Sequence, residues 1–255
     1  MPLLEPLCRL PFGLIDAHAD FINAHRPGLE VFISSEALDS HGVTGLAARI
    51  QQSLSFIPAL TLHAPFMDMS PGAVDSSVRQ ATHRRFSDVI GLAGLVRARC
   101  VVFHSGYEKW TYDHKIEPWL GNSLSFWPPL VRLASEAGTR LAIENIFEDE
   151  PGGLRLLMEG LDTSVAGICL DAGHFNLFSR LPLSAWMEAI GQYVIELHLH
   201  DNNGDKDAHM PPGDGTFDFR ELFSLLQGRE VIRTIEANSP EETLLAFERI
   251  RELSS

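Results

Sequence analysis

Cysteine is scarce in this chain. Cys8, Cys100 and Cys169 are an odd set at wide spacing, which gives neither a disulfide framework nor a paired-thiolate metal site. Two of them sit inside apolar runs, "RCVVF" and "GICLD", where a small buried hydrophobe is expected. That usage fits a reducing, cytoplasmic compartment. No apolar run reaches the roughly 18 residues of a membrane span, and the opening "MPLLEPLCRL" lacks the basic n-region of a signal peptide. Neither G-x-G-x-x-G nor a Walker A sequence occurs, so no nucleotide-binding loop is expected. Positive charge is short as well: 20 Lys and Arg face 34 Asp and Glu, a net charge of −14. Proteins that grip nucleic acid neutralise phosphates with clustered cations, and this balance argues against such a partner. Repeats, low-complexity tracts and linkers are missing too. A chain of 255 residues, 45% apolar, is therefore expected to form one domain spanning 1–255.

What the chain does have is alternation. Short β-rich runs are followed by amphipathic segments: "LEVFIS" then "VTGLAARIQQSL", "ALTLHAPF" then "VDSSVRQATHRRFSDVIGLAGLV", "RCVVFHSG" then "FWPPLVRLASEAG". "RLAIENIF" precedes "GGLRLLMEGL", "VAGICLDAGHFN" precedes "PLSAWMEAIGQ", "VIELHLHDNN" precedes "FDFRELFSLLQG", and "VIRTIEANS" precedes the closing "PEETLLAFERIRELSS". Near-continuous apolar strands alternating with helices indicate a parallel sheet covered by helices. Seven strands are counted this way, and an eighth is expected near "RLPFGLI". The α/β class and a single (β/α)₈ TIM barrel follow, since such barrels run to about 250 residues; a doubly wound open sheet is the alternative.

Metal-binding residue types collect at the strand ends. His63 follows "ALTL", His104 follows "CVVF", Glu144 follows "RLAI", Asp171 and His174 follow "GICL", His198 lies in "IELHLHD", and Glu236 follows "IRTI". Asp207 and His209 occupy the loop after His198. A barrel places its active site at the C-terminal ends of its strands. One such residue would mean little, because a lone His or Glu at a strand end is ordinarily a surface or capping group. Six strand ends sending imidazole or carboxylate to one mouth form a pattern, and buried charge on that scale needs pairing or a metal. The mix of imidazole and carboxylate without thiolate suits Zn²⁺, Mn²⁺, Fe²⁺ or Co²⁺.

The motifs "HAPF", "VVFHSG", "AIEN", "CLDAGH", "HLHD", "DAHMPPGDG" and "TIEAN" in this order resemble the xylose-isomerase-like TIM barrels, a superfamily that includes sugar isomerases and epimerases and the endonuclease IV group (AP endonuclease family 2). The resemblance runs through most of the chain. For the epimerases it implies one divalent ion held by Glu144, Asp171, His198 and Glu236, with Glu144 and Glu236 shuttling a proton at the substrate carbon and His174 facing the substrate. For the endonuclease IV group it implies three ions: one on His63, His104 and Glu144, a second on Glu144, Asp171, His198 and Glu236, and a third on His174, Asp207 and His209. One to three ions per chain are thus expected. His200, two places after His198, points the same way on a strand and competes as a ligand. Asn145, His200, Asp201 and Asn202 are expected around the ligands or against substrate.

Two features stand apart. "LIDAHADF" places Asp16, His18 and Asp20 in an alternation similar to the first-strand motif of amidohydrolases, although that family would want Asp where Glu236 stands; the plainer reading has Asp16 capping a helix and His18 solvated. The stretch 106–127 reads as a long loop carrying Tyr107, Trp110, Tyr112, Trp119 and Trp127, either a substrate cover with Trp110, His114 and Lys115 in contact, or an aromatic plug or oligomer contact. The expected activity is a metal-dependent isomerase or epimerase of a small sugar or sugar phosphate. The alternative is a multi-metal phosphodiesterase acting on a small phosphodiester rather than duplex DNA. A homo-oligomer is left open.

Overall fold

The computed structural model describes residues 6–254. Eight parallel strands close in chain order: β1 (Leu7–Pro11), β2 (Gly28–Phe32), β3 (Leu60–His63), β4 (Cys100–His104), β5 (Arg140–Glu144), β6 (Ala166–Asp171), β7 (Val194–Leu199) and β8 (Ile232–Ile235). Closure comes from β1 pairing β8, Leu7 with Thr234 and Cys8 with Ile235. Around the barrel lie α1 (Ala19–His25), α2 (Ser35–Ser53), α3 (Ser76–Val96), α4 (Glu117–Ala137), α5 (Gly152–Glu159), α6 (Ala172–Phe178), α7 (Leu183–Ile190), α8 (Phe219–Leu225) and α9 (Pro240–Leu253). This is the single (β/α)₈ barrel that the alternation implied. No described helix is long and apolar enough to cross a membrane.

Side chains alternate across each strand, so every strand feeds two cores. One set packs outward against the helices, with Leu29, Val31, Leu62, Val101, Phe103, Leu141, Ile143 and Leu197 all fully buried there. The other fills the barrel interior, where Cys100, Val102, Ala142 and Cys169 form a separate cluster. All three cysteines are free and buried, Cys100 and Cys169 as their apolar runs suggested.

A bulge interrupts the pairing of β6 with β7. Ile168 pairs with Val194 but Cys169 pairs with Glu196, so Ile195 is skipped. A Cβ at Gly167 would come within 2.7 Å of the Ile195 side chain; glycine makes room for the skipped residue. The one-place shift sets Asp171 opposite His198. Without it Asp171 would face the outward Leu197.

Three boundaries differ from the sequence reading. The first strand is Leu7–Pro11, and Phe12–Leu14 forms a 3₁₀ turn instead of continuing it. The strand through "GICLD" stops at Asp171, whose side chain accepts a hydrogen bond from His174 N at 2.6 Å and caps α6. Most consequentially, α4 begins at Glu117 and carries Pro128 and Pro129 inside it. The supposed loop 106–127 therefore shrinks to its first half. Trp119 and Trp127 are fully buried. Trp127 packs with Phe86, Phe103 and Phe126, and Trp119 Nε1 donates to Ser105 O at 3.0 Å. Of the two readings of these aromatics, the plug describes Tyr112, Trp119 and Trp127.

Candidate metal centre

The C-terminal mouth of the barrel opens into a cavity of about 440 Å³ lined by Arg9, His63, Phe66, Met67, Asp68, His104, Glu144, Ile146, Phe147, His174, Phe178, Asp207, His209 and Glu236. Another hollow lies at the opposite, N-terminal face and touches none of these residues; the chemistry belongs to the mouth. Glu144 ends β5 and is buried. Its Oε2 lies 3.2 Å from His63 Nε2 and 3.4 Å from His104 Nε2. Its Oε1 lies 3.2 Å from His174 Nδ1 and 3.4 Å from His198 Nδ1. His198 Nδ1 also faces Asp171 Oδ2 at 3.6 Å and Glu236 Oε1 at 3.3 Å. On the far side Asp207 Oδ2 stands 3.0 Å from His209 Nε2 and 3.6 Å from His174 Nε2.

All nine residues named as ligands from the sequence therefore meet at one mouth. With His200 and Glu30 added, their donor atoms fall into five groups close enough to share an ion: His63, His104 and Glu144; Glu144, Asp171 and His198; Asp171, His174 and His200; His200, Asp207 and His209; and Glu30, His198 and Glu236. A fit to a cation is visible in two atoms. The Nδ1 atoms of His198 and His200 are buried and have no hydrogen-bond partner, while carboxylate oxygens surround them. A lone pair aimed at carboxylates is repulsive unless a proton or a metal lies between. His63 is prepared differently: its Nδ1 donates to Ala64 O at 2.8 Å, leaving Nε2 free to ligate.

Electrostatics follow from this crowding. Burial pushes Glu144 and Asp171 upward, but the surrounding histidines outweigh it and hold both carboxyls well below the ordinary range. Burial pushes His104 down to about 3, against the pull of Glu144, so its imidazole is neutral. Glu148, just beyond β5, is raised to about 7 by burial, despite hydrogen bonds from Ser105 Oγ and Ile146 N.

The residues expected around the ligands divide. Asn145 Nδ2 donates to Asp171 O at 3.1 Å and its Oδ1 accepts from Asp171 N at 2.8 Å, locking the ends of β5 and β6 together. Asp201 accepts from Gly213 N and Gly215 N at 2.9 Å each and from Phe217 N at 3.2 Å; it shapes the "MPPGDG" loop. Asn202 likewise accepts from Asn176 Nδ2 at 3.0 Å. His200 is fully buried, with Nε2 3.1 Å from Asp171 Oδ2 and its ring stacked on His209. Trp110, in contrast, is 69% exposed, meets His114 edge-on and does not line the cavity. Asp16 pairs with Arg49 and Ser53 on the surface, and His18 heads α1 without a capping bond. Neither lines the mouth, and the first-strand motif has no ligand role there.

Several residues escaped the sequence reading. Arg9 on β1 places its Nε 3.2 Å from Glu236 Oε1 and stacks over Phe32. Glu30 on β2 is fully buried beneath His198. Burial pushes its carboxyl up, yet the charge of His198 and its hydrogen bond hold it down at about 2. Glu196, fully buried on β7, goes the other way, to about 8, through burial and then the charge of Glu30. Each was a single charge in an apolar run, "LCRLP", "GLEVF" and "VIELHL", and that was the signal available.

The family of xylose isomerase-like TIM barrels matches residues 21–253. The chain belongs to that family. Among its relatives, the uncharacterized protein MJ1311 of Methanocaldococcus jannaschii is 27% identical over 202 residues, covering 76% of this chain and 69% of that protein. MJ1614 of the same organism is 26% identical over 212 residues, 80% of this chain and 81% of the relative. The TTHB071 protein from Thermus thermophilus, in crystals soaked with ZnCl₂, superimposes with a TM-score of 0.83 at 25% identity over 98% of both chains. A D-tagatose 3-epimerase-like protein gives a TM-score of 0.81 at 24% identity, covering 97% of this chain and 96% of the other. At that identity the second likeness speaks for the fold alone.

Proposed function

We propose that the protein is a divalent-metal-dependent isomerase or epimerase acting on a small sugar or sugar phosphate. The observation that carries this reading is the convergence of Glu144 and Glu236 on His198 Nδ1, at 3.4 and 3.3 Å. Two carboxylates, one ending β5 and one just past β8, thus flank one ion position from different sides. Glu144, Asp171, His198 and Glu236 would hold Zn²⁺, Mn²⁺, Fe²⁺ or Co²⁺, which when bound polarises a carbonyl and its neighbouring hydroxyl. The remaining chemistry belongs to the chain. One glutamate removes the activated proton at the substrate carbon and the other returns it from the opposite side. Arg9 keeps Glu236 in place by its ion pair. Phe66, Phe147 and Phe178 form an apolar rim that holds the carbon skeleton and restricts water. The volume, about 440 Å³, matches a small-molecule site. Arg9 is the one Lys or Arg among the described residues lining it, which with the −14 charge supports a small substrate over a nucleic acid.

A second reading, a phosphodiesterase with two or three ions, is supported by the ligand groups either side of the centre. His63 and His104 flank Glu144, and Asp207 with His209 adjoins His174 and His200, more donors than one ion needs. Metal content per chain by elemental analysis separates the two when paired with four variants. For an epimerase, Glu144→Gln and Glu236→Gln lower proton exchange between ketoses and D₂O by about 10²–10⁴-fold, while His63→Ala and Asp207→Ala cost under about tenfold. Equal losses at all four positions, with hydrolysis of a simple phosphodiester and more than one ion bound, overturn the epimerase reading.

A further inference from the structure

Below the ligands, the barrel interior holds charge that the proposed reaction does not use. Glu30 and Glu196 project inward from β2 and β7, both fully buried, one layer beneath the mouth. Thr61 Oγ1 donates to Glu30 Oε2 at 3.2 Å, and Thr234 Oγ1 donates to Glu196 Oε1 at 2.9 Å. The second oxygens of the pair, Glu30 Oε1 and Glu196 Oε2, are buried without a hydrogen-bond partner. The upper end of this network is His198: its Nε2 lies 3.2 Å from Glu30 Oε1 and 3.4 Å from Oε2.

The two edges of the His198 ring therefore face different worlds. Nε2 meets Glu30 from below, and Nδ1 looks up at Glu144, Asp171 and Glu236, 3.3 to 3.6 Å away, without a hydrogen-bond partner. An imidazole donates from one nitrogen when it ligates through the other, and the donor's acceptor decides which is which. We infer that Glu30 is a positioning residue of this centre: it takes the Nε2–H of His198 and so fixes Nδ1 as the nitrogen that faces the ion. Glu30 is no ligand itself in this assignment. Its oxygens lie 3.2 and 3.4 Å from Nε2, and Oε2 also accepts from Thr61 Oγ1. Because Glu30 is also close enough to His198 and Glu236 to share an ion with them, loss of an ion on its substitution is the outcome that would mark it as a ligand. The arrangement also explains why a carboxylate stands in the middle of β2 at all, since burying one without such partners is costly.

The inference rests on the reading that the mouth holds a divalent ion, and its test can be separated from that reading and from any turnover. Uniformly ¹⁵N-labelled full-length protein is loaded with Zn²⁺, and two-bond ¹H–¹⁵N spectra report which nitrogen of His198 carries the proton and which the metal. Stepwise Zn²⁺ affinities of the wild type, Glu30→Gln and Glu30→Ala are measured by competition with a chromophoric chelator. Expected are zinc on Nδ1 and a proton on Nε2 in the wild type, with one binding step weakened about 10-fold in Glu30→Gln and about 100-fold in Glu30→Ala. The other steps stay within about twofold. Ligation through Nε2, affinities of both variants within twofold of wild type at every step, or complete loss of one ion from a folded Glu30→Gln (the mark of a direct ligand) each overturn the assignment. If Glu30→Ala does not fold, Glu30→Gln and the wild-type spectrum decide. If the wild type takes up no zinc, the metal reading fails, and the zinc-free spectrum still judges the contact: a protected Nε2–H supports it and a bare Nε2 overturns it.

Discussion

Gly173 offers a test of the site's packing that leaves every candidate ligand in place. It lies in α6, next to His174 and two places after Asp171. A methyl carbon at this position would overlap the His200 imidazole; of the three ring atoms nearest to it, even the most distant, Nε2, would be 2.7 Å away. That ring has no room to retreat. It is fully buried, stacked on His209 with centroids 4.1 Å apart, and tied to Asp171 Oδ2 at 3.1 Å. Overpacking of a dense core costs about 1–3 kcal/mol, and freeing the ring also gives up a hydrogen bond to a carboxylate, worth about 1.5–3 kcal/mol. Gly173→Ala should therefore destabilise the zinc-free protein by about 3 kcal/mol. At roughly 2–4 °C per kcal/mol for a chain of this size, Tm falls by about 6–12 °C. Gly121→Ala is the control: this exposed glycine sits within α4 with open space at its Cβ, so alanine should gain about 0.5–1 kcal/mol. Thermal unfolding in chelator, followed by metal analysis after reloading, reads both effects. A Gly173→Ala protein that melts within a degree of wild type and binds the same number of ions would refute the tight placement of His200.

Two further outcomes are expected. Glu148 is raised from its ordinary 4.5 to about 7 by burial, so the folded state holds this proton after the unfolded chain has lost it. The cost is absent below about pH 4.5, grows as pH rises to 7 and totals about 3 kcal/mol; urea unfolding of Glu148→Gln should show its advantage over wild type growing across that window, and parallel pH profiles would contradict it. Addition of Zn²⁺ or Mn²⁺ at about 100 times its Kd should stabilise by about 2.7 kcal/mol, a Tm rise of about 5–11 °C, reversed by chelator. No shift with either ion, nor with Fe²⁺ or Co²⁺, would remove the metal from the account.

The barrel was legible because its signal is repeated. Seven apolar runs with amphipathic partners leave few architectures, and an error at one end of one element does not disturb the count. The start of α4 was lost for a definite reason. Pro128 and Pro129 deprive Leu124 and Ser125 of helical donors, which ordinarily ends a helix, yet Trp119, Ser123, Phe126 and Trp127 are buried on the same helix and their packing carries it through the break. Tertiary burial overrode local propensity there, and the aromatics that looked like a loop's covering became the core beneath it. Trp110 alone of the three tryptophans in that stretch is exposed.

The site was legible at its rim and opaque at its floor, and topology explains the division. A residue at the end of a barrel strand is bound for the mouth whichever strand carries it, so "AIEN", "CLDAGH" and "TIEAN" could be placed without knowing any distance. A charge in mid-strand has no such address until the inward face is known. Arg9 and Glu236 stand 227 residues apart in the chain, and Glu30 and His198 stand 168 apart; only closure of β1 on β8 and the bulge between Ile168 and Cys169 determine who meets whom. The rule that would have found them is nonetheless physical and local. A lone ionised side chain inside an apolar strand must be paired, because its burial unpaired costs more than a fold of this size can spare. Arg9 and Glu30 satisfy that rule with the ligands Glu236 and His198, and Glu196 escapes it by keeping its proton up to about 8 and accepting from Thr234 Oγ1. The charges hardest to place from sequence are thus the ones that hold the most easily placed ligands in position.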